Sequence, residues 1–248
     1  MNIFNITYLM LANNCGARTK HSGKTLLYDM GCSVWADGAG QAAGMGQATD
    51  KKVNAALGSS SAASATASTD ERGSGFGPSL PLFDELYATQ CLPLDHMFGW
   101  ESREMSASEW WAPVPASVRP RLTFYNIPVE EANSSAASFS SHLLAASSPE
   151  DFVAVKLDID YVPVELPIAK AILSRPELSS RVDELFFEYH FNLDGITSFP
   201  WRSAPGQKHA VTDNVDDALR LFTALRHKGV RAHFWICLLY TSPSPRDS

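Results

Sequence analysis

The chain is poor in the residues that build metal clusters, disulfide scaffolds and nucleic-acid faces. Four cysteines occur in 248 residues, at Cys15, Cys32, Cys91 and Cys237. No two have Cys-x-x-Cys spacing, so neither a structural zinc site nor a disulfide framework is expected, and reduced thiols are the simpler reading. Lys and Arg number 20 against 27 Asp and Glu, a net charge of -7. The basic residues never gather into a block, which argues against a nucleic-acid face, since phosphate binding needs a concentrated basic patch. Long apolar runs are missing too. The opening "MNIFNITYLMLANN" is apolar for only about ten residues, half of the roughly twenty that cross a bilayer. It also lacks the basic stretch that opens a secretory signal. No membrane span is expected.

Large apolar side chains nearly vanish from Ala36 to Pro78, where Ala, Gly and Ser dominate. Such a segment buries too little surface to offset its ordering entropy, so a flexible insertion is expected at about 36–78. Its glycines make no nucleotide loop: no strand runs directly into them and no P-loop lysine follows. The ending "LLYTSPSPRDS" resembles a sequencing-adapter read-through and is expected to be non-native. The organisation predicted is an N-terminal segment over 1–23, one domain over 24–236 and a foreign tail over 237–248.

The remainder alternates. "KTLLYDMG", "HMFGWES", "RLTFYNIPV", "DFVAVKLDID", "ELFFEYHF" and "VRAHFWI" are short apolar runs that read as buried strands. Between them, "SLPLFDELYATQCL", "SAASFSSHLLAAS", "VELPIAKAILSRPELSSRV" and "NVDDALRLFTALRHKG" carry apolar residues at helical spacing, the third with a break near Pro176. Strand–helix alternation with nearly continuous apolar strands predicts an α/β fold: a doubly wound, mostly parallel, Rossmann-like sheet covered on both faces. Ligands of such folds sit outside the carboxyl ends of the strands. The polar residues there are Asp29, Gly31, Cys32 and Ser33, then Glu101, Asn126, Asp158 with Asp160, and Glu188 with His190. Polar strand ends are common, but acids at four of five ends are not. Lys156, inside a buried run, requires a carboxylate partner. The Trp110–Trp111 pair reads as a core anchor.

"LLYDMGCS", "FGWES" and "VAVKLDIDYVPVE" followed by "ELFFEYH" resemble the motifs of FkbM-type class I S-adenosylmethionine-dependent methyltransferases. The likeness spans Lys24 to Ile236 without the insertion. It implies that Asp29, Gly31 and Cys32 belong to the cofactor loop, that Glu101 accepts the ribose hydroxyls, and that Asp158 lies beneath the reacting methyl group. Asp158 is then expected to face the cofactor and Asp160 to be the more structural. The pattern departs from the family at Cys32-Ser33-Val34 and in the Tyr161-Val162-Pro163 extension before Glu165. The family normally ends with an antiparallel strand beside the fifth. The proline-bearing tail cannot supply one, so that strand is expected to be missing, its place left as a gap or an unprotected strand, with disorder from about Thr241.

A hydroxyl acceptor, on a small molecule or a sugar, would gain from a base, and His190 is the candidate. No metal is required by this reading. Three alternatives remain. Asp158-x-Asp160 could clamp a metal on a nucleotide sugar, as in glycosyltransferases. Asp158, Asp160, Glu188 and His190 could serve a metal-assisted hydrolase. The fold could also persist as a binding domain without turnover.

Overall fold

The computed structural model describes residues 23–32, 35, 79–131, 137–190 and 213–235. Six strands form one sheet: β1 (Thr25–Met30), β2 (His96–Trp100), β3 (Leu122–Tyr125), β4 (Phe152–Leu157), β5 (Glu184–Phe187) and β6 (Arg231–Phe234). Their order is β3-β2-β1-β4-β5-β6, and each pairing is parallel. This is the doubly wound, Rossmann-like α/β fold that the alternation predicts. The chain lays β2 and β3 to one side of β1 and then crosses to the other, so the switch point lies between β1 and β4.

The helices are α1 (Ser79–Thr89), α2 (Ala107–Trp111), α3 (Phe139–Ala146), α4 (Val162–Ser174), α5 (Pro176–Ser179) and α6 (Val215–His227). Helix α2, which holds the tryptophan pair, is too short to show a period in sequence. Trp110 is fully buried there, its ring 3.7 Å from that of Phe124 and nearly parallel to it, which confirms the core-anchor reading. The break at Pro176 separates α4 from α5, because the residue before a proline is driven out of the helical region; Arg175 lies at φ -104, ψ 106. Helix α6 opens on a reciprocal capping box between Asn214 and Asp217. It closes at Gly229, whose φ of +93 suits the left-handed cap.

Side chains alternate across each strand, and this divides the core in two. Leu26, Tyr28, Met30, Val153, Val155, Leu157, Leu185 and Phe187 point to one face, under α3, α4 and α6. Leu27, Met97, Phe152, Ala154 and Phe186 point to the other, under α1 and α2. Asp29 and Lys156 have the same parity as this second set and are register partners across β1 and β4. The sheet thus delivers an acid and a base, side by side, to the carboxyl end of the α1 face.

One expectation is met in one of its two forms, and another changes. Nothing separates β5 from β6: Phe187 is paired with Phe234, and the Trp235 N–H reaches the Phe187 carbonyl at 3.0 Å. Of the two forms expected, a gap or an unprotected strand, the structure has the second: β5 and β6 hydrogen-bond directly, and β6 forms the edge among the described residues. Cys91 is disulfide-bonded rather than reduced, while Cys32 is a buried free thiol. The segments 1–22 and 36–78 and the tail after Trp235, with the expectations placed on them, lie outside the described residues. Among the described residues no helix is long and apolar enough to cross a membrane.

Candidate functional site

At the carboxyl ends of β1 and β4 the charged groups are tied together. The Lys156 ammonium lies 3.2 Å from Asp29 Oδ1 and 3.2 Å from Asp158 Oδ2, and donates to the Gly31 carbonyl at 3.2 Å. Ser79, at the start of α1, turns its hydroxyl to Asp29 Oδ2 at 2.5 Å. Trp235, just past β6, donates its indole N–H to Asp158 Oδ2 at 2.9 Å, and the Lys156 ammonium lies 6.0 Å from the centre of that ring. Burial works against the ammonium, but Asp158 and Asp29 outweigh it and hold Lys156 above the usual lysine range. Burial also raises Asp29, and there it prevails over the lysine. At Asp158 burial loses to Lys156, Glu188 and Trp235, and the carboxyl is held below its ordinary value.

A second group begins where the first ends. Asp158 also acts on Glu188, whose carboxyl its negative charge helps to raise. His190 Nε2 lies 3.4 Å from Glu188 Oε2 and 3.6 Å from Asp160 Oδ1, and its Nδ1 lies 3.2 Å from Glu165 Oε2. The other Glu165 oxygen accepts the Ile159 N–H at 2.8 Å, which pins the β4–α4 turn to the helix. Burial opposes the charged imidazole, yet Glu165 and Glu188 push His190 up to about 10. Burial raises Glu188, against His190 and with the Asp158 charge, to about 8. These neighbours favour the protonated ring of His190, while burial shifts Glu188 and Glu165 toward the neutral acid. The free-base role expected of His190 requires its proton to be displaced first.

The remaining expected residues divide. Glu101 stands at the end of β2, half-exposed, with Oε1 accepting the Arg103 N–H at 2.7 Å. It is accessible to a ligand. Asn126 is structural: its amide donates to the carbonyls of Glu101 and Arg103 at 2.9 and 2.6 Å and accepts the Met105 N–H at 2.9 Å. Cys32 is fully buried, and burial drives its thiol pKa up. A Cβ on Gly99 would come 2.7 Å from its sulfur, so that glycine makes room for Cys32 rather than for a ligand. Gly31 has φ +85, and a Cβ there would come 1.7 Å from the Asp158 carbonyl. The close approach of the β1 and β4 ends is enough to require the glycine. The two β4 aspartates differ in exposure. The Asp158 side chain is 11% exposed and engaged, whereas that of Asp160 is 77% exposed, because Asp160 adopts φ 56 as the chain turns into α4. Ser33 lies outside the described residues.

Glu165, Ser79 and Trp235 were not expected as site residues. A signal existed for Glu165. It shares the buried stripe of α4 with Ile168, Ala169 and Ile172, and a carboxylate on an apolar helical stripe needs a buried partner.

No family model, curated protein or solved structure matches the chain.

Proposed function

We propose that the chain is an S-adenosylmethionine-dependent methyltransferase acting on oxygen of a small molecule or sugar, a reading that rests on the motif resemblance together with the sign of the charge at the switch point. That charge is the observation that carries it. Among the described residues five carboxyl groups, Asp29, Asp158, Asp160, Glu165 and Glu188, converge at these strand ends against two cationic side chains, Lys156 and His190. A carboxylate-rich bed favours a cationic ligand and repels a nucleoside diphosphate. S-adenosylmethionine supplies a methyl group already activated on a positive sulfonium.

The chain's own residues have separable tasks. Glu101, accessible at the end of β2, accepts two hydrogen bonds from ribose hydroxyls. Asp158 presents negative charge at the end of β4, and Lys156 with Trp235 keep it ionised and oriented. Asp29 and Gly31 act indirectly, by holding the ends of β1 and β4 together. The acceptor hydroxyl belongs beside Asp160, Glu188 and His190, where its proton can be taken up. Asp158 is unsuited to an Asp-x-Asp clamp, since its Oδ2 already holds Lys156 and Trp235.

Calorimetric titration of the full chain tests this. S-adenosylmethionine is expected to bind without added metal, and Glu101→Ala to weaken it by about 1–3 kcal/mol, the loss expected for hydrogen bonds to a charged group. Binding only of a sugar nucleotide, and only with Mn2+ present, would overturn the proposal.

A further inference from the structure

Asp160, Glu188 and His190 form more than an accumulation of acids. One potential ligand atom from each lies within 4.8 Å of the others. Glu188 and His190 are two residues apart in the segment that follows β5, and their side chains converge. Asp160 approaches from the turn before α4. His190 Nε2 lies 3.4 Å from Glu188 and 3.6 Å from Asp160. Donor atoms bound to one divalent ion at about 2.1 Å each lie at most about 4.2 Å apart, so both spacings fit a common ion.

A second observation, independent of these spacings, concerns the far side of the ring. Glu165 is fully buried, with one oxygen 3.2 Å from His190 Nδ1 and the other held by the Ile159 N–H. Glu165 thus stands behind Nδ1 and leaves Nε2 facing Asp160 and Glu188. Metal-binding histidines are oriented in this way, by a carboxylate behind the other ring nitrogen.

We infer that Asp160, Glu188 and His190 form a site for a divalent first-row transition cation, with Glu165 orienting the histidine. The mixture of carboxylate oxygen and imidazole nitrogen suits Mn2+, which accepts both donor types. The exposed Asp160 carboxylate gives the ion a path from solvent. A dication also neutralises the carboxylate surplus at the crevice. Three protein ligands leave coordination positions open for an oxygen of the acceptor. That last role rests on the methyltransferase reading; the site itself does not.

The test is titration of the full chain, stripped with a chelator, with MnCl2, followed by calorimetry and by electron paramagnetic resonance. The expected result is one ion per chain, with nitrogen hyperfine coupling that disappears in His190→Gln. Asp160→Ala removes an exposed side chain and leaves the core intact; it should weaken Mn2+ by more than about tenfold, and Glu165→Gln by about 10–100-fold. Absence of binding to the folded wild-type chain overturns the inference, as does unchanged affinity in folded Asp160→Ala. Titration of the same samples with S-adenosylmethionine separates the two claims. Loss of cofactor binding with Mn2+ binding intact removes the methyltransferase reading and leaves the metal site. The opposite result removes the metal site alone.

Discussion

The two ends of the sheet use carboxylates in opposite ways. At the amino end an aspartate stands immediately before each of three strands, and each accepts a backbone N–H from the entry of a neighbouring one. Asp95 accepts from Thr25 at 2.7 Å, Asp151 from Lys24 at 2.7 Å, and Asp183 from Val153 at 2.8 Å. Glu184, the first residue of β5, accepts from the Tyr87 hydroxyl at 2.5 Å and from the Arg231 guanidinium. The three aspartates answer backbone donors that the start of a strand would otherwise leave unpaired. At the carboxyl end Asp158, Glu188 and Asp160 face one another and share Lys156 and His190. Acids matched to donors close a structure, whereas acids crowded against acids keep a site charged, at some expense in stability, for a ligand to complete. The difference separates structural from functional carboxylates in a chain where both are plentiful.

The largest effect should come from removing the cation that holds the crowded end together. Lys156→Met leaves Asp29 and Asp158 close together without their shared ammonium. Breaking a buried pair by deleting one partner costs about 3–5 kcal/mol. Chemical denaturation should show a loss of that size. A loss below about 1 kcal/mol would mean that the two aspartates are rehydrated, and that the crowded end is less strained than its geometry indicates.

An intermediate effect is expected at the amino end. Asp151 is buried, and its two oxygens accept the Lys24 and Ser148 N–H groups, both at 2.7 Å. Burial alone would raise its pKa, but these hydrogen bonds prevail and hold it below the ordinary carboxylate value. Asp151→Ala should cost about 1.5–3 kcal/mol at neutral pH, the range for hydrogen bonds to a charged group. Because the folded pKa is depressed, the contribution is fully present above the unfolded value near 3.9 and is lost as the pH falls through the lower folded value. Wild type and variant should therefore converge in acid denaturation. A constant difference down to low pH would show that packing, not the charge, supplies the effect.

How much of this was legible in the sequence follows from the same contrast. The strands were legible because parallel strands covered on both faces are apolar at nearly every position, as "FVAVKL" shows over Phe152–Leu157. The acids at the carboxyl ends were legible because such runs stop abruptly at them. Asp95, Asp151 and Asp183 were not, since an aspartate before an apolar run looks like an ordinary turn residue, and its N–H partner lies 30 to 127 residues away. The exposure of Asp160 was not legible because alternation alone does not register its positive φ. That turn is set by entry into α4, where Pro163 stands in the first turn, and aspartate is among the few residues that tolerate it. Motif likeness gave no sign that neighbouring chain segments pack so closely against Cys32 and Gly31.

The smallest effect on stability should come from Glu101, and for that reason it sharpens the comparison most. It stands at the carboxyl end like Asp158, yet it belongs to neither crowded group. Its side-chain partner is the N–H of Arg103, an exposed loop residue two positions on. Water can replace that contact, so Glu101→Ala should change unfolding free energy by no more than about 0.5 kcal/mol, as for surface substitutions away from special features. If the carboxyl-end acids serve ligands rather than the fold, this variant should be folded, of normal stability and impaired in S-adenosylmethionine binding. A loss of stability near that of Asp151→Ala would place Glu101 with the structural acids of the amino end. The division between the two ends would then fail at the one carboxylate where it can be read without disturbing the core.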